Sequence, residues 1–432
     1  MTAVPFVLAL SIGGFAQAPP PQPTTPAGCV KAARDFALAQ QRAAKQITAE
    51  LVRKVEADKV AMAQKCAAQF DLATIADADI ADLIALYSDA AQPALAKAAL
   101  NRALTSKSLP APIRANVLAQ AVLSGLREEK SDVRNARLER FVDDLDKLPD
   151  THPQERTAGE ILDLKISTHA RMNGFYRADD IDDGIIKHST WLIDRAKGFT
   201  PAQRKAFGST IVSAHINMAE AVAGRGQNDR AKALLTAAKT GWPDVPSVDR
   251  MVDPVMARYA LVGTPAAPIT APRWLNAPAN TTIAMPGAVT LLEFTAHWCG
   301  PCKESYPGVK RLLAKYGSQG FRVVLATELY GYFGTERPLT PEQEFERDRE
   351  YWAHEGLNVP VAVGDARPVP VRGADGNYVY TKNPNDAAYE VGGIPQIQII
   401  DKRGRIRLIM VGYDDANEAS LSALIEKLLK EK

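Results

Sequence analysis

Two thiols stand three residues apart in Trp298-Cys299-Gly300-Pro301-Cys302-Lys303. At that spacing they can close on each other without straining the backbone. The pair can be held as a disulfide or a dithiol and can exchange between the two. It follows an apolar strand pattern, Val289-Thr290-Leu291-Leu292-Glu293-Phe294, and opens a helical one. A cysteine at a strand-to-helix junction meets unpaired N–H groups and the positive end of the helix dipole. Both favour the thiolate and lower its pKa. Cys299 is therefore the candidate nucleophile. Cys302, one turn further in and less exposed, is the candidate resolving thiol. Pro301 sets the first helical turn, and Trp298 is expected to cover the sulfurs on one side. Trp298, Gly300 and Pro301 are candidate substrate contacts.

Three residues outside the pair fit the same chemistry. Glu293 lies six before Cys299, and strand alternation turns it away from Leu292 and Phe294, beneath the helix. A buried carboxylate there has a raised pKa and can accept the Cys302 proton; a solvated strand residue is the alternative. Pro307 is expected to kink the helix that starts at the motif, or to break it. Pro395, in Gly392-Gly393-Ile394-Pro395-Gln396, precedes an apolar strand. A cis proline at that junction can lie against the two sulfurs, and the backbone of Ile394, with Gly393 before it, can pair with a substrate strand. A proline that merely starts a strand is the plainer alternative.

The elements that must position these residues follow from the pattern of the chain. From about residue 273, β-type and helical runs alternate: strand 288–296, helix 301–317, strand 321–328, helix 341–356, strand 360–363, short helix 385–391, strands 396–401 and 405–412, and helix 417–430. This predicts an α/β sheet with helices on both faces. The Asp401-Lys402-Arg403-Gly404 turn makes one edge antiparallel. Thr340-Pro341 with Gln343 is a helix start with a capping box. Residues 28–262 are rich in Ala, Leu, Lys, Arg, Glu and Gln and predict an all-α domain of about eight to ten helices. Breaks are expected near Asp71, Gln92-Pro93, Leu109-Pro110, Pro149, Gly174, Thr200-Pro201, Gly224–Gly226 and Pro243. Met218, Ala219, Val222, Ala231, Leu235 and Ala238, followed by Pro243, have the spacing of one tetratricopeptide unit or of a generic α-hairpin. The chain is thus a multidomain protein, all-α then α/β. The proline-rich stretch 263–272 is the expected linker to the second domain, 273–432.

Residues of about 268–432 resemble thioredoxin-fold proteins, most closely the TlpA/ResA/DsbE-like group of exported thiol–disulfide oxidoreductases. The resemblance rests on Leu291–Lys303, which looks like the first strand and active site. It rests also on Tyr389–Pro395 followed by Ile399–Gly404, which look like the cis-proline loop and terminal hairpin. It implies Cys299 as nucleophile, Cys302 as resolving thiol, Glu293 as buried acid and Pro395 as cis-proline. Glu293 departs from the asparagine of many exported members; thioredoxins carry Asp there and disulfide isomerases often Glu. His297 precedes the motif and either tunes it or, as the plainer reading, is a solvent-exposed residue. Residues 329–340 and 364–384 look like insertions, and Tyr330-Gly331-Tyr332-Phe333-Gly334 either edges the substrate site or is a surface loop packed by its own aromatics.

Composition bounds the rest. Hydrophobic residues make up 46% of the 432 and charged residues 24%, as in an ordinary soluble globular chain. A net charge of +2 implies no nucleic-acid surface. No apolar run reaches the roughly 18–20 residues of a membrane span. The six histidines are scattered, so no metal is implied, and no nucleotide fingerprint points to a cofactor. Residues 1–18 end in Ala16-Gln17-Ala18 after a short apolar run and read as a signal peptide, although no basic residue precedes them. A proline-rich tether, 19–27, follows. In an exported protein Cys29 and Cys66 can form a structural bridge if the chain turns back near Gln46-Ile47-Thr48; unbridged, they are simply small buried residues. The expected activity is reduction of protein disulfides, because the Gly-Pro pair between the cysteines resembles reductants. The implied partners are protein disulfides and a membrane thiol electron donor. The rival expectation is a helical partner-binding protein with a redox-sensing module.

Overall fold

The computed structural model describes residues 23–43, 49–179, 181–279, 281–283, 286–365, 371–372, 378–379, 382–413 and 415–431. The expected signal peptide, part of the tether, the turn at 46–48 and much of the 364–384 insertion lie outside the described residues. The chain forms two compact units, Met1–Lys165 and Ile166–Lys432. This division does not fall at the proline-rich stretch 263–272. The helices after residue 166 belong to the same compact unit as the sheet.

The first unit contains α1 (Pro26–Ala43), α2 (Ala49–Ala67), α3 (Ile80–Asp89), α4 (Pro93–Thr105), α5 (Ala111–Gly125) and α6 (Asp132–Asp146). Cys29 at the start of α1 is bridged to Cys66 at the end of α2, with Cα atoms 6.0 Å apart. The bridge sits in a core with Ile80, Leu83, Leu86 and Tyr87 of α3. Where α6 ends, the buried Lys165 ammonium donates to the carbonyls of Asp146 (3.2 Å) and Leu148 (2.6 Å) and pairs with Asp150 (2.9 Å). A cation there meets the negative end of the helix dipole.

The unit boundary falls within α7 (Glu160–Ala178), after which come α8 (Asp182–Ala196), α9 (Pro201–Gly224), α10 (Asn228–Gly241) and α11 (Val248–Ala260). Gly174, expected as a break, lies inside α7, where a single glycine costs only about 1 kcal/mol. The interruption comes instead between Ala178 and Asp182, at residues rich in aspartate. Eleven α-helices precede residue 262 among the described residues, one more than the expected range. Thr200 and Gln203 form a capping box with Pro201 in the first turn of α9. The last two turns of α9, Met218–Gly224, are buried throughout, because α9 packs between α8 and α10 and against a strand of the sheet.

That sheet has the order β10-β9-β4-β5-β6-β2, and β7 (Val371–Arg372) and β8 (Tyr378–Val379) pair in a separate two-stranded sheet. The parallel centre of the larger sheet is β4 (Val289–Phe294), β5 (Phe321–Glu328) and β6 (Val361–Gly364). On one side β9 (Gln396–Ile400) and β10 (Ile406–Val411) run antiparallel. On the other, β2 (Arg273–Leu275) pairs antiparallel with β6, a second antiparallel edge that three residues after a proline did not signal. The intervening helices are α12 (Gly300–Tyr316), α13 (Pro341–Glu355), α14 (Pro384–Ala388) and α15 (Asp415–Lys430). The stretch 263–272 is not a free tether. Gly263 N–H donates to Ile406 O (2.7 Å) and Ala266 N–H to Gly404 O (2.7 Å), and Ile269–Thr270 forms β1, paired with Thr282–Ile283 (β3).

The Cys29–Cys66 bridge closes a sequence separation of 37 residues. The loop-entropy relation puts its contribution at about 4 kcal/mol. Replacing both cysteines by serine should accelerate amide exchange along α1 and α2. Unchanged exchange in those helices would show that the bridge constrains nothing.

Candidate active site

Cys299 and Cys302 are joined as a disulfide, with Cα atoms 5.3 Å apart. Cys299 caps α12, and the Cys302 N–H donates to its sulfur over 3.2 Å. An N-cap oxygen commonly accepts this bond; here sulfur takes it. Together with the helix dipole, it stabilises negative charge on Cys299 once the pair is reduced. Cys299 retains 3% of its surface and Cys302 none. Cys299 is therefore the more accessible of the two. Helix α12 continues through Pro307 to Tyr316, so Pro307 does not end it.

Beneath the pair, β4 is buried at every position, and Glu293 has no exposed surface. Burial pushes its pKa up to about 8, opposed by the Ser305 hydroxyl. Ser305 Oγ lies 2.8 Å from Glu293 Oε1 and 2.7 Å from the Cys302 carbonyl oxygen. One hydroxyl proton cannot serve two acceptors. Both contacts are satisfied together when Glu293 is protonated and itself donates to Ser305. Ser305 thus links Glu293 to the backbone of Cys302. The pattern that could have revealed it is its place three residues after Cys302, on the same helical face.

His297 is buried, not exposed. Its ring stacks on Phe333 (4.5 Å between centroids) and meets Tyr330 and Tyr332 edge-on. Burial, reinforced by nearby Lys303, lowers its pKa to about 4, so it is neutral at ordinary pH. The loop that covers it is tied down by Glu344 on α13, which accepts the N–H groups of Tyr330 (2.7 Å) and Gly331 (2.6 Å). His297 Nε2 lies 3.9 Å from Glu344, beyond hydrogen-bond reach. Trp298 is 47% exposed, and its ring meets that of Tyr330 edge-on, with centroids 5.3 Å apart. The aromatic stretch after β5 therefore both packs on itself and reaches the motif.

The Ile394–Pro395 peptide is cis, and the antiparallel ladder between β4 and β9 begins just beyond it, at Gln396. Gly393 and Ile394 line two cavities. One, of 310 Å³, is also bordered by Trp298, Thr295, Glu328 and Tyr330. The other, of 250 Å³, lies between Pro301 and Pro395 on one side and Arg177, Asp182 and Glu220 of α7–α9 on the other. Among the described residues, no group of three His, Cys, Asp or Glu is placed to hold a metal.

A parallel β4-β5-β6 centre, an antiparallel β9-β10 hairpin, a cysteine pair opening the helix after β4 and a cis proline before β9 occur together. From β4 to α15 the chain is a thioredoxin fold. No family model matches the chain. Thioredoxin H7 of Arabidopsis thaliana is 41% identical over 50 residues, 12% of this chain and 39% of that protein. The chain thus spans only about two fifths of that curated relative. Among solved structures, a thioredoxin-like superfamily protein is 24% identical, covering 39% of this chain and 97% of its own, with a TM-score of 0.30. A thiol:disulfide interchange protein of the thioredoxin family from Chlorobium tepidum is 19% identical, covering 38% and 98%, with a TM-score of 0.26. All three likenesses leave most of the chain unmatched.

Glu293 makes the stability of the thioredoxin fold depend on pH. Its folded pKa of about 8 lies above the ordinary 4.5. Between those values the folded state holds a proton that the unfolded state has released, so stability falls as pH rises through that window and then levels off. The full loss is on the order of 5 kcal/mol. Denaturant unfolding of the oxidised chain should show this fall, and Glu293→Gln should remove it. Parallel pH profiles for the two proteins would place the titration elsewhere.

Proposed function

We propose that this chain is a thiol–disulfide oxidoreductase that reduces disulfides in polypeptides. The observation that carries this reading is the Cys302 N–H directed at the Cys299 sulfur, at the start of a helix and beside a cis-proline loop. In the reduced form, the Cys299 thiolate attacks one sulfur of a substrate disulfide. A mixed disulfide forms, and the first substrate thiolate leaves. Cys302 then gives up its proton, with Glu293 as acceptor, and attacks Cys299. The Cys299–Cys302 disulfide forms and the second substrate thiolate leaves. The substrate gains two electrons and the enzyme pair loses two. A dithiol donor must return them, and a membrane thiol transporter suits a protein exported to the cell envelope. Among the described residues, no helix of this chain is long and apolar enough to cross a membrane itself.

Trp298 and Pro301 adjoin Cys299 and Cys302 in the chain and line the two cavities that the Gly393–Ile394 backbone also borders, and that backbone is the surface for an extended substrate segment. The Gly-Pro dipeptide between the cysteines favours the reducing direction.

The purified chain, reduced with dithiothreitol, should accelerate insulin reduction, and Cys299→Ser should abolish this. Cys302→Ala should retain the mixed disulfide and allow partners to be identified. Glu293→Gln should slow turnover on the order of 10²-fold by removing the base. Redox titration of the pair should give a potential well below about −120 mV; a value there marks a strong oxidant and overturns the reductive direction.

A further inference from the structure

The loop ending in Pro395 is anchored from outside the sheet. Gln396 Nε2 donates to Tyr389 O (3.0 Å), and Gly412 N–H donates to Pro395 O (2.9 Å). Both donors are neighbours within the thioredoxin fold. A third carbonyl, that of Glu390, accepts from Arg258 Nε at 3.2 Å, and Arg258 lies on α11, 132 residues earlier. Glu390 has φ +48°, a conformation uncommon for a side-chain-bearing residue, so the direction of this carbonyl is unusual and specific.

The same guanidinium faces the helices. Arg258 Nη1 donates to Glu220 Oε1 on α9 at 2.7 Å, and the other Glu220 oxygen is paired with Arg177 on α7. The side chains of Arg258 and Glu220 are only 5% and 6% exposed. On the loop side, a Cβ at Gly392 would collide with Arg258 Nη2, so the backbone lies directly against the guanidinium. A buried ion pair is weak evidence of net stabilisation, because desolvation offsets much of the attraction. Its geometry is more informative. One planar, rigid fork donates to a helix on one edge and to the loop on the other, which a lysine ammonium cannot do.

We propose that Arg258, seated on Glu220, is a positioning residue for disulfide exchange: it sets the Gly392–Pro395 loop so that a polypeptide segment is presented to Cys299. The helices α7–α11 are then part of the exchange site. They also supply Arg177, Asp182 and Glu220 to the wall of the 250 Å³ cavity opposite Pro301, Ile394 and Pro395. The proposal rests on the oxidoreductase reading and adds what determines presentation of the substrate.

The test compares a protein disulfide, insulin, with a small disulfide, 5,5′-dithiobis(2-nitrobenzoate), which needs no pairing with the loop. Arg258→Ala should raise KM for insulin about tenfold, the scale of a lost charge-assisted hydrogen bond, with kcat little changed. The rate with the small disulfide and the Cys299–Cys302 potential should stay as in the wild type. Arg258→Lys should fail to restore KM, because it cannot hold both partners. Gly392→Ala displaces the guanidinium from the loop side, leaves α9 and α11 intact, and should reproduce the KM rise. The proposal is overturned if KM for insulin is unchanged in both Arg258→Ala and Gly392→Ala, or if both substrates slow equally. A wild-type chain inactive on either substrate removes the oxidoreductase reading and this proposal with it. Normal wild-type activity with unselective variants removes this proposal alone.

Discussion

A helix that starts on a sulfur is the constraint on which the rest of the site depends. The Cys302 N–H can reach Cys299 only if the chain leaves β4 and turns into α12 within a few residues. That requires β4 to end at a fixed height in the sheet, which its register with β5 and β9 provides. The partners of the pair are then placed by the same sheet. Glu293 lies on the strand below, and Pro395 precedes the neighbouring strand at the same end. Each belongs to a different segment of the chain, and the ladder of backbone hydrogen bonds makes their separation reproducible.

The site is unusually polar for its depth. Glu293, Ser305, His297 and Glu344 are all buried, and each has a physical reason to be neutral or bonded. Glu293 is held near neutrality by burial, and His297 is deprotonated by it. The Glu344 pKa is raised by burial, opposed by the backbone N–H groups of Tyr330, Gly331 and Tyr332. An apolar replacement would leave Ser305 without its carboxyl partner and the loop carrying Tyr330 without its tether. Burying these groups costs free energy, and the purpose it serves is orientation.

Much of this site was legible in the chain because thiol chemistry constrains sequence locally. Cys299, Cys302 and Glu293 lie within ten residues of one another, and strand alternation followed by a helix start is a short-range pattern. The alternating β and α runs from 288 onward showed the fold for the same reason. What escaped was long-range. His297 reads as exposed until the loop at 329–340 is folded over it. Arg258 has no local sign of its role, since its partners are a glutamate on α9 and a carbonyl 132 residues away. Gly174 looked like a break because propensity is a weak term, easily outweighed by the packing of Ile166, Met172 and Tyr176 in the same helix. The second antiparallel edge, β2, was too short to carry a pattern.

Ser305 gives this arrangement a property that neither cysteine has alone. Its hydroxyl is a rotor with one proton and two claimants. While Glu293 is neutral, that proton goes to the Cys302 carbonyl, closing an extra bond over the first turn of α12. When Glu293 ionises, the carboxylate is the stronger acceptor, and the hydroxyl turns away from the backbone. A single charge, gained at a residue on the strand, is thereby converted into a loosening of the helical turn that holds both sulfurs. A proton accepted by Glu293 has the opposite effect: the carboxyl becomes neutral, and the Ser305 hydroxyl closes its bond to the Cys302 carbonyl again.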